Sequence, residues 1–298
     1  MRSEELAFWA TPGPLTDLRG VRRSSIEAIV DDLPDEPAEI TRLVSGLILH
    51  RHLLHLYGFT PSTERFADLE SRSAAELLDT LFALDGRPLS APRSPAQRAV
   101  GVCRHFVVLA CALLRAKGLP ARARCGFNGY FDRTRFLDHW IVEVWDARQH
   151  QWVIHDPQLD DRQRPLLVVA VEPTDVPSGV FITGAAAWRR CREGLDDPLR
   201  YGILDWWGMP FIRGNLVRDL AALNKVELLP WDVWGVIEKP YDADDHDMLA
   251  TMDVLADLVE TAPLDDIRRA YETTPGVRVG STVRSLEAGR LARVPELS

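Results

Sequence analysis

The stretch that decides the fold covers residues 101–122 and reads GVCRHFVVLACALLRAKGLPAR. Its residues 106–117 are apolar and mostly compatible with a helix, and they end in an arginine and a lysine. A glycine and then a proline follow within three residues, which is a typical helix stop. The pattern therefore predicts a buried helix that begins just after Gly101.

Cys103 would lie in the first turn of this helix. There the backbone N–H groups and the positive end of the helix dipole favour the thiolate over the thiol, and the thiolate is the nucleophilic form. An alternative stays open, because residues 94–97 read as a capping box with proline at the first helical position. A helix that ran on from there through Gly101 would place Cys103 about two turns inside and away from the dipole.

Two segments after the helix are rich in valine, isoleucine and tryptophan, as β-strands are. They cover residues 138–145 and 152–156, and the polar residues 146–151 separate them. We predict an antiparallel hairpin with its turn in the polar stretch.

The register of this hairpin decides which side chains meet. If Trp145 pairs with His150, then His139 lies directly opposite Asp156, at roughly 4.5–5.5 Å between the two Cβ atoms. That spacing suits a hydrogen bond between a carboxylate and an imidazole. His155 points to the other face of the hairpin, because side chains alternate along a strand.

Four elements of the sequence resemble, in order, the core pattern of the transglutaminase-like superfamily. They are the Gly-x-Cys at 101–103, RAKGLPAR at 115–122, HWIVEV at 139–144 and WVIHDP at 152–157. The resemblance implies that Cys103 is the nucleophile, His139 the general base and acid, and Asp156 the orienting carboxylate. It covers about residues 95–160 of the 298 in the chain.

The fold that the resemblance implies is α+β and papain-like, with the cysteine helix packed on an antiparallel sheet. Helical flanks would lie on both sides of this core. We expect a helical N-terminal part over residues 1–93, the catalytic core over 94–183, and a mostly helical C-terminal part over 184–298. The last part would pack on the core as one domain.

Three further segments carry a secondary-structure signal. Apolar residues at helical spacing run through residues 37–57 and again through 74–84. Residues 166–171, Leu-Leu-Val-Val-Ala-Val, read as another strand of the core.

The resemblance implies acyl transfer through an acyl-thioester at Cys103. An amine acceptor then gives amide formation and water gives hydrolysis. We expect a small-molecule or peptidyl acyl donor and no cofactor. A cysteine peptidase or amidase of the same superfamily and a non-catalytic binding module that retains the fold are the alternatives. An arylamine N-acetyltransferase is disfavoured, because its Arg-Gly-Gly-x-Cys signature is absent before Cys103.

An aromatic cluster in the C-terminal part, over residues 206–219 and 231–234, has two interpretations. With an arginine and an asparagine among the tryptophans, it is suited to wall a substrate pocket and to orient a carboxylate or amide. It equally suits a core that packs C-terminal helices. The candidate substrate-binding residues are Trp140, Trp206, Trp207, Arg213, Asn215 and Trp231.

We expect no metal site. The cysteines lack zinc spacing. Of His50, His52 and His55, only the last two can share a helix face, and a solvated or core-edge face is the favoured interpretation. The acidic run 242–247 lacks the glycine and terminal glutamate of a calcium loop.

Composition restricts the partners and the compartment. A net charge of −9 argues against nucleic acid and against anionic membranes. No apolar signal region follows Met1, and no apolar stretch reaches the roughly 20 residues of a membrane span. Four unpatterned cysteines fit a reducing cytoplasm. The scarcity of lysine beside abundant arginine indicates a GC-rich bacterial genome.

Overall fold

A computed structural model of the chain describes residues 3–294 and belongs to the α+β class. The described residues form two compact units. Unit 1 comprises residues 3–123 and 141–177, and unit 2 comprises residues 124–140 and 178–294. The three-part division read from the sequence stays a prediction.

Six helices belong to unit 1. In chain order they are α1 Ser3–Ala10, α2 Ile26–Asp31, α3 Pro37–Ser45, α4 Ala74–Leu84, α5 Cys103–Ala116 and α6 Gln163–Leu166. The central one is α5, against which α1, α3 and α4 pack. Every α5 residue from Cys103 to Arg115 is buried, so this helix is the core of unit 1.

The strands up to residue 155 are β1 Ile48–His50, β2 Ala99–Gly101, β3 Ala121–Asn128, β4 Phe136–Asp146 and β5 Gln151–His155. In unit 1, β1 pairs in parallel with β2, and β4 pairs antiparallel with β5. The boundary between the units falls within β3 and within β4.

Over its described residues, unit 2 combines five α-helices with short strands. Its elements are β6 Phe181–Thr183, α7 Gly184–Arg192, β7 Tyr201–Ile203, β8 Trp206–Trp207, α8 Met209–Leu223, β9 Asp232–Val233, α9 Gly235–Glu238, α10 His246–Thr261, α11 Leu264–Thr273, β10 Thr282–Ser285 and β11 Arg290–Arg293. Here β3 pairs antiparallel with β6, whereas β4 and β7 form a parallel pair. Helices α7 and α8 pack so closely that a Cβ on Gly184 would lie 2.4 Å from the backbone of Asn215.

Of the three further segments predicted from the sequence, the helix over residues 74–84 is confirmed as α4. Its start carries a capping box, in which Ser73 Oγ accepts from the Glu76 N–H at 3.2 Å and Glu76 Oε2 accepts from the Ser73 N–H at 3.0 Å. The helical spacing over 37–57 is only partly right. Helix α3 ends at Ser45, and the next apolar residues extend as β1, because pairing with β2 buries both of their faces.

The strand predicted over residues 166–171 is wrong. Helix α6 ends at Leu166, and Val168 adopts a left-handed φ of 57° with 72% of its surface exposed. The Val169 N–H donates to Arg164 O at 2.8 Å, which closes a turn. The chain therefore reverses where the apolar run predicted extension, and within residues 3–294 the run pairs with no strand.

Candidate active site

Cys103 is the first residue of α5, as the sequence predicted. Val102 before it is extended, and β2 lies immediately upstream. The alternative of one long helix is wrong, because residues Pro95–Gln97 form a single 3-10 turn. The Cys103 side chain is 6% exposed. A cysteine at the N-terminus of a 14-residue helix lies where the dipole stabilises a thiolate.

Gly101, two residues before the cysteine, is required by close packing. A Cβ there would lie 2.9 Å from Ile48 Cγ2 and 3.0 Å from His105 Cβ. Real side chains almost never approach so closely, so any larger residue would push β1 and the first turn of α5 apart. The Gly101 carbonyl accepts from the Arg51 N–H at 2.8 Å. The glycine of the Gly-x-Cys motif thus fixes the position at which α5 begins.

The two residues after Cys103 are both fully buried and polar. Arg104 donates to the carbonyl of Ser71 at 3.2 Å and to the carbonyl of Arg72. His105 accepts from the Val102 N–H through Nδ1 at 3.1 Å. Both side chains hold the start of α5 in place within unit 1.

Asp156 lies in unit 1, directly after β5, and is completely buried. Its backbone N–H donates to Pro173 O at 2.7 Å, and its Oδ1 accepts from the Gln158 N–H at 3.0 Å. The bond to Oδ1 orients the carboxylate, and the backbone bond holds the turn that follows the strand.

The hairpin of β4 and β5 exists, but its predicted register is wrong by two residues. Trp145 pairs with Trp152 and not with His150. Continued past the end of β5, this register places Asp156 opposite Ile141 and not opposite His139. A shift of two residues preserves the face of each strand, so His139 and Ile141 still point to the same side of β4.

His155, the last residue of β5, packs within unit 1. Its Nδ1 lies 2.8 Å from Thr41 Oγ1 of α3. Burial, with a smaller contribution from the charge of Arg42, lowers the pKa of His155 to about 4. This imidazole is therefore neutral at physiological pH, and its hydrogen bond ties the hairpin to α3.

His139 lies on the unit 2 part of β4 and is 2% exposed. Two aromatic rings stand perpendicular to its imidazole, that of Phe131 at 5.4 Å and that of Tyr130 at 5.9 Å between ring centroids. Sequence reasoning missed both residues. The sequence does contain a sign of them, because two adjacent aromatic residues are unusual in a polar turn. Turns favour Gly, Pro, Asn, Asp and Ser.

Local hydrogen bonds hold the turn that carries these rings. Asn128 Oδ1 accepts from the Phe131 N–H at 3.1 Å, and the Gly129 N–H donates to Val180 O at 2.9 Å. Asp132 Oδ1 accepts from the Thr134 N–H at 2.7 Å. The two aromatic side chains are thus positioned by the backbone of unit 2.

Asn215, a predicted substrate-binding residue, serves a buried carboxylate beside His139. Its Nδ2 donates to Asp138 Oδ1 at 2.8 Å and to Gly126 O at 3.2 Å. Burial raises the pKa of Asp138, while the Asn215 bond and the charges of Arg218 and His139 oppose that rise. Asn215 therefore links α8 to β3 and β4, next to the predicted general base.

Arg213, another predicted substrate-binding residue, donates to Lys239 O at 2.6 Å, and its guanidinium carbon lies 5.5 Å from the Tyr241 ring. Burial lowers its pKa. The structure thus gives this arginine a role in joining α8 to the segment after α9.

The candidate tryptophans are spread over different environments. Trp140 is 1% exposed and Trp206 is 62% exposed. Trp207 donates through Nε1 to Leu204 O at 2.6 Å and carries Arg135 over its ring at 4.7 Å. Trp231 is half-buried. Their part in substrate binding stays a prediction.

Among residues 3–294, no group of three or more His, Cys, Asp or Glu side chains is arranged to hold a metal ion. The rings of His50 and His52 lie 5.6 Å apart. No helix in this same range combines the length and the apolar character needed to cross a lipid bilayer.

Comparison with known proteins supports the resemblance. Residues 84–157 match the family model of the transglutaminase-like superfamily, and this range includes Cys103, His139 and Asp156. None of the curated proteins compared with the chain matches it.

Two solved structures show a distant likeness. A "Putative Cysteine Protease" from Cytophaga hutchinsonii is 17% identical, with a TM-score of 0.35, over 61% of this chain and 46% of its own. Red sea bream transglutaminase is 19% identical, with a TM-score of 0.29, over 42% of this chain and 22% of its own. The match thus spans less than half the length of each of these proteins.

At the level of the superfamily, the family match agrees with the prediction of a cysteine-dependent enzyme. All four sequence elements that carry the resemblance lie within the matched residues 84–157.

Proposed function

We propose that this chain catalyses acyl transfer through a thioester on Cys103, with His139 as general base and acid and Asp156 as the carboxylate that orients His139. The observation that carries the proposal is the placement of Cys103 as the first residue of α5, inside the segment that matches the superfamily. A buried cysteine in mid-helix is usually a small apolar residue, whereas a helix start favours the reactive thiolate.

The proposed reaction has two halves. The Cys103 thiolate attacks the carbonyl carbon of the acyl donor, and a tetrahedral oxyanion forms, for which the backbone N–H of Cys103 is the proposed donor. The C–N, C–O or C–S bond to the leaving group then breaks as His139 gives that group a proton, which leaves the acyl-thioester on Cys103. In the second half, an amine or a water molecule loses a proton to His139 and displaces the thiolate.

The surroundings of His139 support transfer to an amine over hydrolysis. Tyr130 and Phe131 stand against its ring, and only 2% of the residue is exposed. Restricted access of water to the general base slows hydrolysis of an acyl-enzyme. Aromatic walls also favour an acceptor with an apolar body behind its amine, so we propose a small-molecule or peptidyl substrate.

Trapping of the thioester tests this proposal. The protein is incubated with a panel of acyl donors, namely a blocked glutamine peptide, a peptidyl nitrophenyl ester and a simple acyl thioester. Intact and peptide mass spectrometry then locates any adduct that hydroxylamine removes. We expect an adduct on Cys103 in the wild type and in Cys111→Ala, which lacks a buried thiol of the same helix, and none in Cys103→Ala.

Two results would contradict acyl transfer on Cys103, and two others would change its substrate class or its acceptor. An adduct that persists in Cys103→Ala would place the chemistry elsewhere, and no adduct with any donor would favour a binding module that retains the fold. Cross-linked protein without turnover of the small donors would contradict the proposed substrate class. Release of the acid with water, unchanged by added amine, would assign the reaction to a peptidase or amidase.

A further inference from the structure

His105 lies two residues after the proposed nucleophile and is fully buried in unit 1. Its Nδ1 accepts a hydrogen bond from the Val102 N–H at 3.1 Å, so the side chain reaches back across the first turn of α5. The same side chain packs where a side chain on Gly101 would otherwise stand, because its Cβ and its ring carbon Cγ lie 3.0 and 3.1 Å from the ideal Cβ position. His105 thus contacts both residues that lead into Cys103.

At the start of many helices, a glutamate or glutamine at the third helical position accepts the hydrogen bond from the N–H of the residue before the helix. Helix α4 of the same unit follows that rule, because Glu76 accepts from the Ser73 N–H at 3.0 Å. In α5 the third helical position is His105, and an imidazole takes the place of the carboxylate. Compared with a glutamate at this position, the imidazole keeps the hydrogen bond and changes the charge beside Cys103.

The imidazole is neutral over the physiological range. Burial, and after it the nearby charge of Arg104, lowers the pKa of His105 to about 3. A neutral imidazole has a lone pair on one ring nitrogen, and that nitrogen is the acceptor that Val102 requires. A glutamate at the same place would add a negative charge one turn or less from a thiolate, and like charges disfavour ionisation.

We infer that His105 is the positioning residue of the nucleophile: it fixes the first turn of α5 at Cys103 with an uncharged acceptor, so that the helix start stabilises the thiolate without opposition from a neighbouring anion. This inference rests on the proposed function, since it concerns the same cysteine.

Three variants separate the hydrogen bond from the charge. His105→Gln keeps a neutral acceptor, His105→Glu keeps an acceptor and adds a charge, and His105→Leu removes the acceptor. The measurement is the pH midpoint of Cys103 alkylation by iodoacetamide, read by peptide mass spectrometry. Cys111 of the same helix serves as the internal reference, and circular dichroism reports folding.

We expect the glutamine variant to keep the wild-type midpoint and the glutamate variant to shift it to higher pH. The leucine variant should move towards the ordinary cysteine value of about 8.5, because the first turn loses its anchor. If the leucine variant does not fold, the glutamine and glutamate pair still decides the question.

Equal midpoints in the glutamine and glutamate variants, both at the wild-type value, would overturn the inference about charge while a low wild-type midpoint kept the proposed function. A wild-type midpoint near that of a free thiol would instead overturn the proposed function, and the role of His105 in catalysis with it. A glutamine midpoint as high as that of glutamate would show that the imidazole itself, and not its neutrality, is required.

Discussion

Helices α4 and α5 of unit 1 begin in related ways, yet only α5 carries the proposed nucleophile. At α4, Ser73 Oγ accepts from the Glu76 N–H and the glutamate reaches back to the Ser73 N–H. At α5, the residue before the helix is Val102, which has no side-chain oxygen to accept from the N–H groups of the first turn, and His105 reaches back. A side-chain oxygen before the helix satisfies an N–H group of the first turn and stabilises the helix. Where that oxygen is missing, the N–H groups and the positive end of the dipole remain to stabilise a nearby anion.

The difference teaches how a helix start is made reactive. Stability at α5 comes from burial, since every residue from Cys103 to Arg115 is inside the unit. A side-chain oxygen at position 102 is therefore dispensable for stability, and its absence leaves the positive end of the dipole to the sulfur of Cys103.

The largest expected effect concerns the acyl transfer that we propose for Cys103 of α5, which α4 has no residue to perform. Asp156→Asn should reduce the rate of thioester formation at Cys103 by about 10³-fold or more, because in the proposed triad Asp156 orients the imidazole of His139. The measurement is the single-turnover rate with the best acyl donor of the panel. Asp68→Asn, which alters a carboxylate that accepts from the Val100 N–H of β2, is the matched control. Equal losses in both variants would mean that the rate reports the stability of unit 1 and not a triad.

The two buried imidazoles of unit 1, those of His105 and His155, should make the protein less stable in acid. His105 and His155 have pKa values lowered by burial to about 3 and about 4, while an unfolded histidine titrates near 6.5. Below about pH 6.5 the unfolded chain binds protons that the folded chain does not, so stability is full above that pH and falls as the pH falls. At pH 5 each histidine should remove about 2 kcal/mol from the free energy of unfolding.

Urea unfolding at pH 7.5 and pH 5 measures this loss. His105→Gln and His155→Gln should each remove about 2 kcal/mol of the difference between the two pH values, and the exposed His246→Gln is the control. A pH dependence that neither variant changes would show that both imidazoles are charged in the folded protein.

The smallest expected effects come from exchanging the residues that precede the two helices. Ser73→Ala should lower the free energy of unfolding by about 1 kcal/mol, because α4 loses its cap, and should leave the alkylation of Cys103 unchanged. Val102→Ser introduces an oxygen at the start of α5 that competes with the thiolate for the same N–H groups, so alkylation should need a higher pH. Denaturant titration and labelling kinetics check the pair. Identical labelling of the two variants would remove the proposed distinction between the helix starts.

The start of α5 could be predicted because its signals are local: a glycine that permits close packing, an apolar run, and cations before the stop. The register of the hairpin could not. Asp146 Oδ1 closes the turn by accepting from the Arg148 and Gln149 N–H groups, and His150 adopts a left-handed φ of 53°. Glycine usually signals that conformation, so a histidine there gives no warning.

The side chains that surround His139 could not be predicted from the sequence, for a different reason. Tyr130 and Phe131 reach the ring of His139 only through the shape of the turn that Asn128 holds. Asn215 was singled out by its aromatic neighbours in the sequence, yet its partner is Asp138, which lies 77 residues away. Long-range polar pairs of this kind leave no periodic pattern.

The rate of Cys103 alkylation by iodoacetamide as a function of pH tests the central claim most directly. In one peptide mass spectrum, Cys103 at the start of α5 is compared with Cys111 inside the same helix, in the wild type and in His139→Ala. We predict labelling of Cys103 that stays fast below about pH 7 and slows in the variant, as a thiolate paired with an imidazolium requires. Labelling with a midpoint near 8.5, indifferent to His139, would contradict the account.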